Sequence, residues 1–195
     1  MKNLILGFDE VGRGPLAGPV VVACVLSNEE IKIPKDIVIR DSKKMTARQK
    51  EKANIWIREN YIFGIGQVSA NQIDQKGISN AVRLAAFLAL KDIKSKSKLD
   101  FEKIKLLIDG RDEWIDGSQT IICGDDKINE ISMASIIAKV YRDNLMIEIG
   151  KQYPVWGFEK HVGYGTAWHC HQIQKNGLIK NLHRTTFCHK LISKT

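Results

Sequence analysis

The run from Gly7 to Pro15, GFDEVGRGP, constrains the fold more than any other part of the sequence. Three apolar residues precede it at positions 4–6 and predict a short buried strand. Side chains of a strand alternate between its two faces, so Asp9 and Glu10 can share one site only where the strand ends or bends. The glycines and the proline that follow are residues that typically break a strand. The run therefore predicts two neighbouring carboxylates and a glycine-arginine loop at one strand end.

Strands and helices alternate along the chain, which predicts an α/β fold built around a central sheet. The apolar runs predict strands over 4–8, 19–26, 61–68, 105–108 and 120–123, and the second of these consists almost entirely of valine and alanine, as a strand buried on both faces does. Helical periods predict helices over 46–60, 78–94 and 130–149, a short helix that opens at Ser69, and a last helix over 166–175.

Two local signals support these boundaries. Thr46 with Gln49, and Ser69 with Gln72, have the spacing of capping boxes at the start of a helix. After Pro154 the composition changes to aromatic, histidine and basic residues. This change predicts a sheet domain over 1–152 and a helical extension over 153–195.

The chain has 195 residues and a formal net charge of +8, and the positive charge is concentrated in two segments. Between Lys32 and Lys52 there are eight basic and three acidic residues, and from Lys160 to Thr195 there are six basic residues and no acidic one. Two basic segments around a group of carboxylates indicate a polyanion held over a metal site. A solvated basic surface is the alternative that charge alone leaves open.

The four cysteines, Cys24, Cys123, Cys170 and Cys188, form no CxxC pair. Cys24 and Cys123 lie in apolar, strand-like runs, where a free thiol packs as a small hydrophobe. We therefore expect no disulfides and a reducing, cytoplasmic location. The apolar residues near the N-terminus are too few for a signal peptide, and no apolar run approaches the roughly 20 residues of a membrane span. We expect no membrane association, no obligate protein partner and a monomer.

Three acidic residues, Asp9, Asp109 and Asp125, each follow an apolar strand. Ligands of open α/β sheets bind beyond the carboxyl ends of the strands, so these side chains converge if the site lies there. Converging carboxylates repel one another, and bound divalent cations usually offset that repulsion. Oxygen ligands favour Mg²⁺ or Mn²⁺ over zinc, and two such ions support in-line hydrolysis of a phosphodiester.

Each of these signals also has a simpler interpretation. An Asp-Gly pair after a strand, as at Asp109, is more often a turn than a ligand. A pair of carboxylates could also hydrolyse a glycoside, although the basic segments argue against a neutral sugar polymer. The histidines all lie at or after His161 and suggest zinc only weakly, because His169 and His171 are two residues apart and point to different faces of a helix. We expect His161 to be a packed or capping residue.

Taken together, the sequence resembles the ribonuclease HII family. The matching stretches are DEVGRGPLAGPVVVA from Asp9, DSKK from Asp41, LIDG from Leu107, GDDKINEISMASIIAKVYRD from Gly124, GYGTAWH from Gly163 and HRTTF from His183. The first and fourth are highly specific, and all of them occur in the family's order over nearly the whole chain. The resemblance implies a ribonuclease H-like fold, with a mixed central sheet flanked by helices and a small helical C-terminal extension. The resemblance also implies that residues 1–152 form the catalytic domain and that residues 153–195 contribute to substrate binding.

The resemblance also implies an activity. Members of this family are metal-dependent endoribonucleases that hydrolyse the RNA strand of RNA–DNA hybrids. They also cut on the 5′ side of a single ribonucleotide embedded in duplex DNA, leaving 3′-hydroxyl and 5′-phosphate ends. The catalytic, metal-binding acids would be Asp9, Glu10, Asp109 and Asp125, holding two ions of Mn²⁺ or Mg²⁺. Asp125 is preferred to Asp126 because the family pattern places the acid directly after a glycine.

The same resemblance implies which residues bind the nucleic acid. Tyr164 would stack on the deoxyribose next to the ribonucleotide and so sense the RNA-to-DNA junction. Glycines suit a loop that holds a ribonucleotide, because they let the backbone approach a sugar and its 2′-hydroxyl closely. The loop residues would be Gly12, Arg13 and Gly14, and the phosphate contacts would be Ser42, Lys43 and Lys44. Without the resemblance, Tyr164 would be a surface aromatic and the lysine pair a solvated turn.

Two other functions are alternatives to this one. They are another ribonuclease H-like enzyme that cuts DNA, such as a resolvase, and a non-catalytic nucleic-acid-binding module. The chain also departs from the family's usual residues: Cys123 and Val162 stand where many relatives have lysine, and Thr186 stands where serine is usual. The first two departures remove positive charge near the substrate.

Overall fold

The computed structural model describes residues 4–28 and 30–192. The strands are β1 (Ile5–Val11), β2 (Val20–Leu26), β3 (Phe63–Val68), β4 (Lys105–Asp109) and β5 (Gln119–Ile121). They form one sheet in the order β3-β2-β1-β4-β5. β2 pairs antiparallel with both β1 and β3, whereas β4 runs parallel to β1 and β5. The sheet is therefore mixed, as the family resemblance implies.

The helices pack on both faces of this sheet. They are α1 (Ala47–Asn60), α2 (Ala70–Lys76), α3 (Ile78–Lys96), α4 (Asn129–Gln152), α5 (Phe158–His161), α6 (Ala167–Asn176) and α7 (Thr185–Ile192). α1 and α4 cover one face, and α3 covers the other. Both predicted capping boxes are present, at Thr46 with Gln49 and at Ser69 with Gln72. No helix of the described residues is long and apolar enough to cross a membrane.

β2 lies inside the sheet and is buried along its whole length, as predicted. Its alternate side chains enter the two cores, so Val22 faces α3 while Ala23 faces α1 and α4. α4 packs closely on β1, because a Cβ at Gly7 would overlap the backbone of Glu130 and Ile131. This close contact places the first half of α4 directly beside the strand that carries Asp9 and Glu10.

The C-terminal extension is helical, but the predicted last helix is not the last. α6 matches the prediction over 166–175, and α7 follows it. Around Ala17, Met146 and Phe158 the extension shares a small core with α4 and the loop after β1. Residues 193–195 of the predicted extension lie outside the described residues.

One cysteine prediction was wrong. Cys24 is buried in β2, but Cys123 is exposed and lies beyond the end of β5 at Ile121. Its φ of 55° is left-handed, so the backbone has already turned away from the sheet there. All four cysteines are free thiols.

Candidate active site

Asp9 and Asp109 lie at neighbouring positions on adjacent strands. β1 and β4 run parallel, and their register places Phe8 opposite Ile108. The next residue of each strand is therefore an aspartate, on the face that α4 covers. Asp9 is buried, with an exposed fraction of 5%. The parallel pairing thus brings together two carboxylates that are 100 residues apart in the sequence.

β1 is longer than the sequence predicts. It remains paired with β2 as far as Val11, opposite Val21, so Asp9 and Glu10 lie inside the strand and not beyond its end. The strand stops at Gly12, whose φ is 94°. Both carboxylates nevertheless line one cavity, so a break between them is not needed for a shared site.

Asp125 reaches the same region from the turn after β5. Residues 124–126 form a short 3-10 helix there. The amide of Gly124 donates a hydrogen bond to Oδ1 of Asp109 at 2.7 Å, which ties this turn to that carboxylate. Asp125 is 6% exposed, whereas the side chain of Asp126 is 40% exposed. This difference in burial supports the choice of Asp125 as the site residue.

Burial and neighbouring negative charge raise the pKa of Asp9, Glu10 and Asp125. Burial raises the pKa of Asp9 well above its usual value, and the charges of Glu10 and Asp109 raise it further. Burial also raises the pKa of Glu10; Arg13 opposes this effect and Asp109 adds to it. The pKa of Asp125 is raised by burial and then by Asp109. The four carboxylates therefore form one electrostatic group, in which Asp109 acts on the other three.

A cavity of about 150 Å³ opens beside this group. Ser135 on α4 lines it and exchanges a hydrogen bond of 2.8 Å with Ser42. Lys139, one helical turn further along α4, lines it as well. The sequence-predicted residues on its wall are Asp9, Glu10, Ser42, Lys43 and Tyr164.

The chemistry of the four carboxylates fits a hard divalent cation, because they offer only oxygen donors. The raised pKa values of Asp9, Glu10 and Asp125 come first from burial and then from neighbouring negative charge, and bound cations would offset both effects. Within residues 4–28 and 30–192, no group of three His, Cys, Asp or Glu side chains is arranged to hold an ion as it stands. The carboxylates would therefore have to draw together around the cations.

The basic residues beside the site differ in their pairing. The Nζ atom of Lys43 lies 4.0 Å from Asp125, and its side chain is 80% exposed. Burial lowers the pKa of Lys43, but the charges of Asp41 and Asp9 outweigh that effect and the pKa is raised. Lys44 instead forms an ion pair of 2.5 Å with Asp126. Lys43 is thus directed to the carboxylate group, and Lys44 is held beside it.

The loop of Gly12, Arg13 and Gly14 begins where β1 ends. A Cβ at Gly12 would overlap the guanidinium of Arg142, so only glycine fits there. A Cβ at Gly14 would meet no atom within 4 Å, which leaves space on that side of the backbone. The guanidinium of Arg13 lies 3.6 Å from the carboxylate of Glu10. The loop therefore borders the acidic group directly.

A buried arginine from the C-terminal extension holds this loop. Arg184 is fully buried, and its guanidinium donates hydrogen bonds to three backbone carbonyls. The acceptors are Gly12 at 2.6 Å, Arg13 at 2.9 Å and Gly18 at 3.0 Å. The planar guanidinium can satisfy three carbonyls at once, which a lysine cannot do in this geometry.

A second buried arginine joins the same loop to the loop of Tyr164. Arg142 on α4 donates to the carbonyls of Pro19 at 2.9 Å, Ala17 at 3.1 Å and Val162 at 2.9 Å. The ring of Tyr164 lies 5.9 Å from its guanidinium. Arg142 and Arg184 thus form a clamp, the arginine clamp, that fixes the glycine-arginine loop and the tyrosine loop relative to each other.

Buried histidines complete the support of the tyrosine loop. Nδ1 of His183 accepts a hydrogen bond from the amide of Ile179 at 2.8 Å, so its Nε2–H donates to Nε2 of His169 at 3.1 Å. Nδ1–H of His169 then donates to the carbonyl of Tyr164 at 2.9 Å. His161 stacks on His169 with 4.4 Å between ring centroids. This chain of bonds requires both His169 and His183 to be neutral.

Sequence reasoning did not select Ser135, Lys139, Arg142 and Arg184. The first three are four and three residues apart, which puts them on one face of α4, and that spacing could have indicated a functional face. Arg184 carries no such signal, because its partners are backbone carbonyls. His161 is packed as expected, accepting a hydrogen bond from the amide of Gly163.

The structure shows the surroundings of the three residues that depart from the usual family pattern. Cys123 and Val162 both have a left-handed backbone, with φ of 55° and 44°. Val162 contributes its carbonyl to Arg142. Thr186 keeps a hydroxyl, which donates to Asp74. The hydroxyl that serine would supply is therefore still present at position 186.

Comparison with known proteins identifies the family. A family model described as Ribonuclease HII matches residues 6–190. Ribonuclease HII of Fusobacterium nucleatum is 43% identical over 195 residues, covering 98% of this chain and 88% of that protein. The ribonuclease H2 structure from Pyrococcus horikoshii OT3 superimposes with a TM-score of 0.75 at 24% identity and covers 98% of both chains.

A ribonuclease HIII structure also has this fold. Bst-RNase HIII in complex with Mn²⁺ superimposes with a TM-score of 0.74 at 17% identity, covering 98% of this chain and 70% of that one. At such identities the two structures establish the fold, and the family model with its 43% identical relative establishes the family. The chain therefore belongs to the ribonuclease HII family and is a metal-dependent ribonuclease.

Proposed function

We propose that this enzyme hydrolyses the RNA strand of RNA–DNA hybrids and cuts duplex DNA on the 5′ side of a single embedded ribonucleotide. The products would carry 5′-phosphate and 3′-hydroxyl ends. The observation that supports this most is the shared cavity: Tyr164 lines it together with Asp9 and Glu10, and Glu10 contacts Arg13. The residues expected to sense the ribonucleotide thus adjoin the residues expected to cut beside it.

The four carboxylates would hold two divalent cations, Mg²⁺ or Mn²⁺. When bound, such a pair of ions activates a water molecule for in-line attack and stabilises the leaving oxygen. Asp9, Glu10, Asp109 and Asp125 would supply the oxygen ligands, and cation binding would favour their ionised forms against the burial that raises the pKa of Asp9. Ser135 donates a hydrogen bond to Asp9, which also favours the ionised form.

The substrate would be held by the chain's own loops. The open side of Gly14 would let the backbone approach a ribose and its 2′-hydroxyl. Tyr164, which is 40% exposed, would stack on the neighbouring deoxyribose, and Lys43 would contact a phosphate. Because Tyr164 lies between α5 and α6, the extension over 153–195 would take part in substrate binding beside the catalytic domain over 1–152.

We also infer that the enzyme acts as a monomer in the cytoplasm. The free thiols suit a reducing compartment, and the basic segments suit a nucleic-acid partner. Size-exclusion chromatography with light scattering tests the monomer: a mass near 22.0 kDa is expected, and a stable dimer would contradict it.

A cleavage assay with end-labelled duplexes tests the proposed activity. One duplex carries a single ribonucleotide in DNA, one is an RNA–DNA hybrid and one is all DNA, and each is incubated with Mg²⁺, Mn²⁺ or a chelator. We expect cuts on the 5′ side of the ribonucleotide with either ion and none in the all-DNA duplex. Equal cleavage of all-DNA duplex would indicate a DNA nuclease or resolvase and would contradict the proposal.

A further inference from the structure

We propose that a second cavity, next to the carboxylate site, binds a phosphate of the nucleic-acid backbone other than the one that is cut. The cavity has a volume of about 110 Å³, well above the roughly 30 Å³ of one water molecule. It is lined by Arg13, Ser79, Arg83, Asp112 and Trp114. It contains none of the four site carboxylates, and we name it the arginine cavity. The proposal rests on the proposed function in so far as the ligand is a nucleic acid.

The charges of the arginine cavity favour an anion. Two guanidiniums, Arg13 and Arg83, face a single carboxylate, Asp112. Within the described part of the chain, no carboxylate lies within 4.0 Å of Arg83, so its charge is available to a ligand. Asp112 is 62% exposed and only 3.4 Å from Arg13, a contact that water screens. Guanidinium groups bind phosphate in a bidentate manner, which suits this pair.

Neutral hydrogen-bond donors also line the arginine cavity. Ser79 is the second residue of α3, a helix whose N-cap Gly77 makes no side-chain hydrogen bond and whose first turn has no acidic residue. The amides of that first turn therefore keep their partial positive charge. Trp114 is 7% exposed, and its indole N–H has no hydrogen-bond partner. The residues around the cavity thus supply several hydrogen-bond donors, and Asp112 is the one carboxylate that lines it.

Arg13 connects this cavity to the carboxylate site. One end of its guanidinium lies 3.6 Å from Glu10 and the other lies 3.4 Å from Asp112. A phosphate in the arginine cavity would therefore belong to the same duplex whose backbone lies over the carboxylates. The phosphate could come from the strand that is cut or from the complementary strand, and the chemistry of binding is the same for both.

The first experiment measures duplex binding with Arg83→Ala in the presence of a chelator, so that no cleavage occurs. Lys91→Ala is the matched control, because Lys91 is also exposed on α3, carries the same charge and does not line the cavity. The affinity for a duplex with one ribonucleotide is determined over a range of salt concentrations. We expect Arg83→Ala to lower the slope of log K against log salt by about one, which corresponds to one lost phosphate contact. We expect Lys91→Ala to keep the wild-type slope.

The second experiment identifies the phosphate. Neutral methylphosphonates replace one phosphate at a time in each strand, and binding is compared between the wild type and Arg83→Ala. We expect one position at which the methylphosphonate weakens duplex binding by the wild type but not by Arg83→Ala. The strand that contains this position is the strand that supplies the phosphate. A wild-type salt slope in Arg83→Ala, or equal losses in both proteins at every position, would overturn the proposal.

The two proposals can fail separately. If Arg83→Ala passes both tests but no ribonucleotide-containing duplex is cleaved by the wild type, the arginine cavity stands and the proposed activity does not. If the wild type cuts as expected and Arg83→Ala binds with the wild-type slope, the activity stands and the arginine cavity does not.

Discussion

At the scale of single residues, Asp109 connects the acidic group. Its charge raises the pKa of Asp9, Glu10 and Asp125, and its Oδ1 accepts a hydrogen bond from Gly124. Asparagine at this position would keep an oxygen for Gly124 but would lose the negative charge. The position therefore separates the electrostatic role of the carboxylate from its structural role.

We expect Asp109→Asn to lower the cleavage rate at least about a hundredfold, because metal-ion catalysis supplies several kcal/mol and each 1.36 kcal/mol is a factor of ten. Binding of a ribonucleotide-containing duplex should stay within a few-fold of the wild type. Asp116→Asn makes the same chemical change at an exposed loop position and should cut normally. Single-turnover kinetics checks this, and full activity of Asp109→Asn would show that this carboxylate binds no essential ion.

Replacement of Tyr164 should slow the cleavage of one class of substrate more than that of another. We expect Tyr164→Ala to slow cleavage at a lone ribonucleotide more than cleavage within a long RNA tract, because only the former requires a stack on deoxyribose. Tyr164→Phe keeps the ring and should keep the preference. Trp168→Ala removes another exposed aromatic, which does not line the cavity, as a control. Equal losses on both substrates for Tyr164→Ala would argue against a role at the junction.

At the scale of elements, the loop over 12–19 is held from both sides. The amide of Leu16 donates to the carbonyl of Gly163 at 2.8 Å, and the amide of Arg184 donates to the carbonyl of Leu16 at 2.8 Å. The arginine clamp adds six hydrogen bonds between charged guanidiniums and carbonyls. Residues of the segment over 153–195 thus position the glycine-arginine loop.

We expect Arg184→Met to lower the free energy of unfolding by at least about 2 kcal/mol, because three buried carbonyls lose a charged donor. Arg48→Met, at an exposed position on α1, should change it by no more than about 0.5 kcal/mol. Urea denaturation of both variants measures the difference. Equal stability of the two variants would show that the clamp contributes nothing to the fold.

The lowered pKa values of the two buried histidines predict how the stability of the fold depends on pH. Burial lowers the pKa of His169 and of His183 from 6.5 to about 4. Because the folded-state pKa lies below the unfolded value, the unfolded chain binds more protons between these limits. The contribution of these histidines to stability is therefore present above pH 6.5 and is lost as the pH falls towards 4.

The carboxylates whose pKa is raised have the opposite effect on stability as the pH falls. A histidine variant separates the contribution of the histidines from theirs. His183→Asn keeps an acceptor for the amide of Ile179 and removes the titrating ring. The wild type should be the more stable protein at pH 7, and its advantage should shrink as the pH falls towards 4. His171→Asn, on the exposed side of α6, controls for the loss of a histidine. An advantage that does not change with pH would contradict this assignment.

The elements that sequence reasoning predicted share one property: their signals are local. The capping boxes at Thr46 and Ser69 and the continuous apolar run of β2 are contained within a few residues, and all three were confirmed. α7 was missed because its start is stabilised from elsewhere: Asp74 on α2 accepts hydrogen bonds from the amides of Thr185 and Thr186. The end of β1 was misplaced because pairing with β2 outweighs the turn signal.

At the scale of the whole molecule, the mixed sheet explains why the convergence of Asp9 and Asp109 could be predicted. The arginine clamp beside them could not be predicted. Asp9, Asp109 and Asp125 each follow an apolar run in the sequence, and that pattern marks them. The parallel register of β1 and β4 then brings Asp9 beside Asp109. Five of the six hydrogen bonds of the arginine clamp join residues more than 120 positions apart, such as Arg142 and Pro19. The sequence does not show which distant backbone carbonyls an arginine side chain will bind.

We propose that Asp9, Glu10, Asp109 and Asp125 hold divalent cations together. A crystal of the enzyme soaked in Mn²⁺, with anomalous diffraction recorded at the manganese edge, tests it most directly. We predict anomalous peaks bound to oxygens of these four carboxylates, and their loss in Asp109→Asn. Peaks bound only elsewhere, or four carboxylates that stay apart with no ion between them at saturating Mn²⁺, would contradict the account.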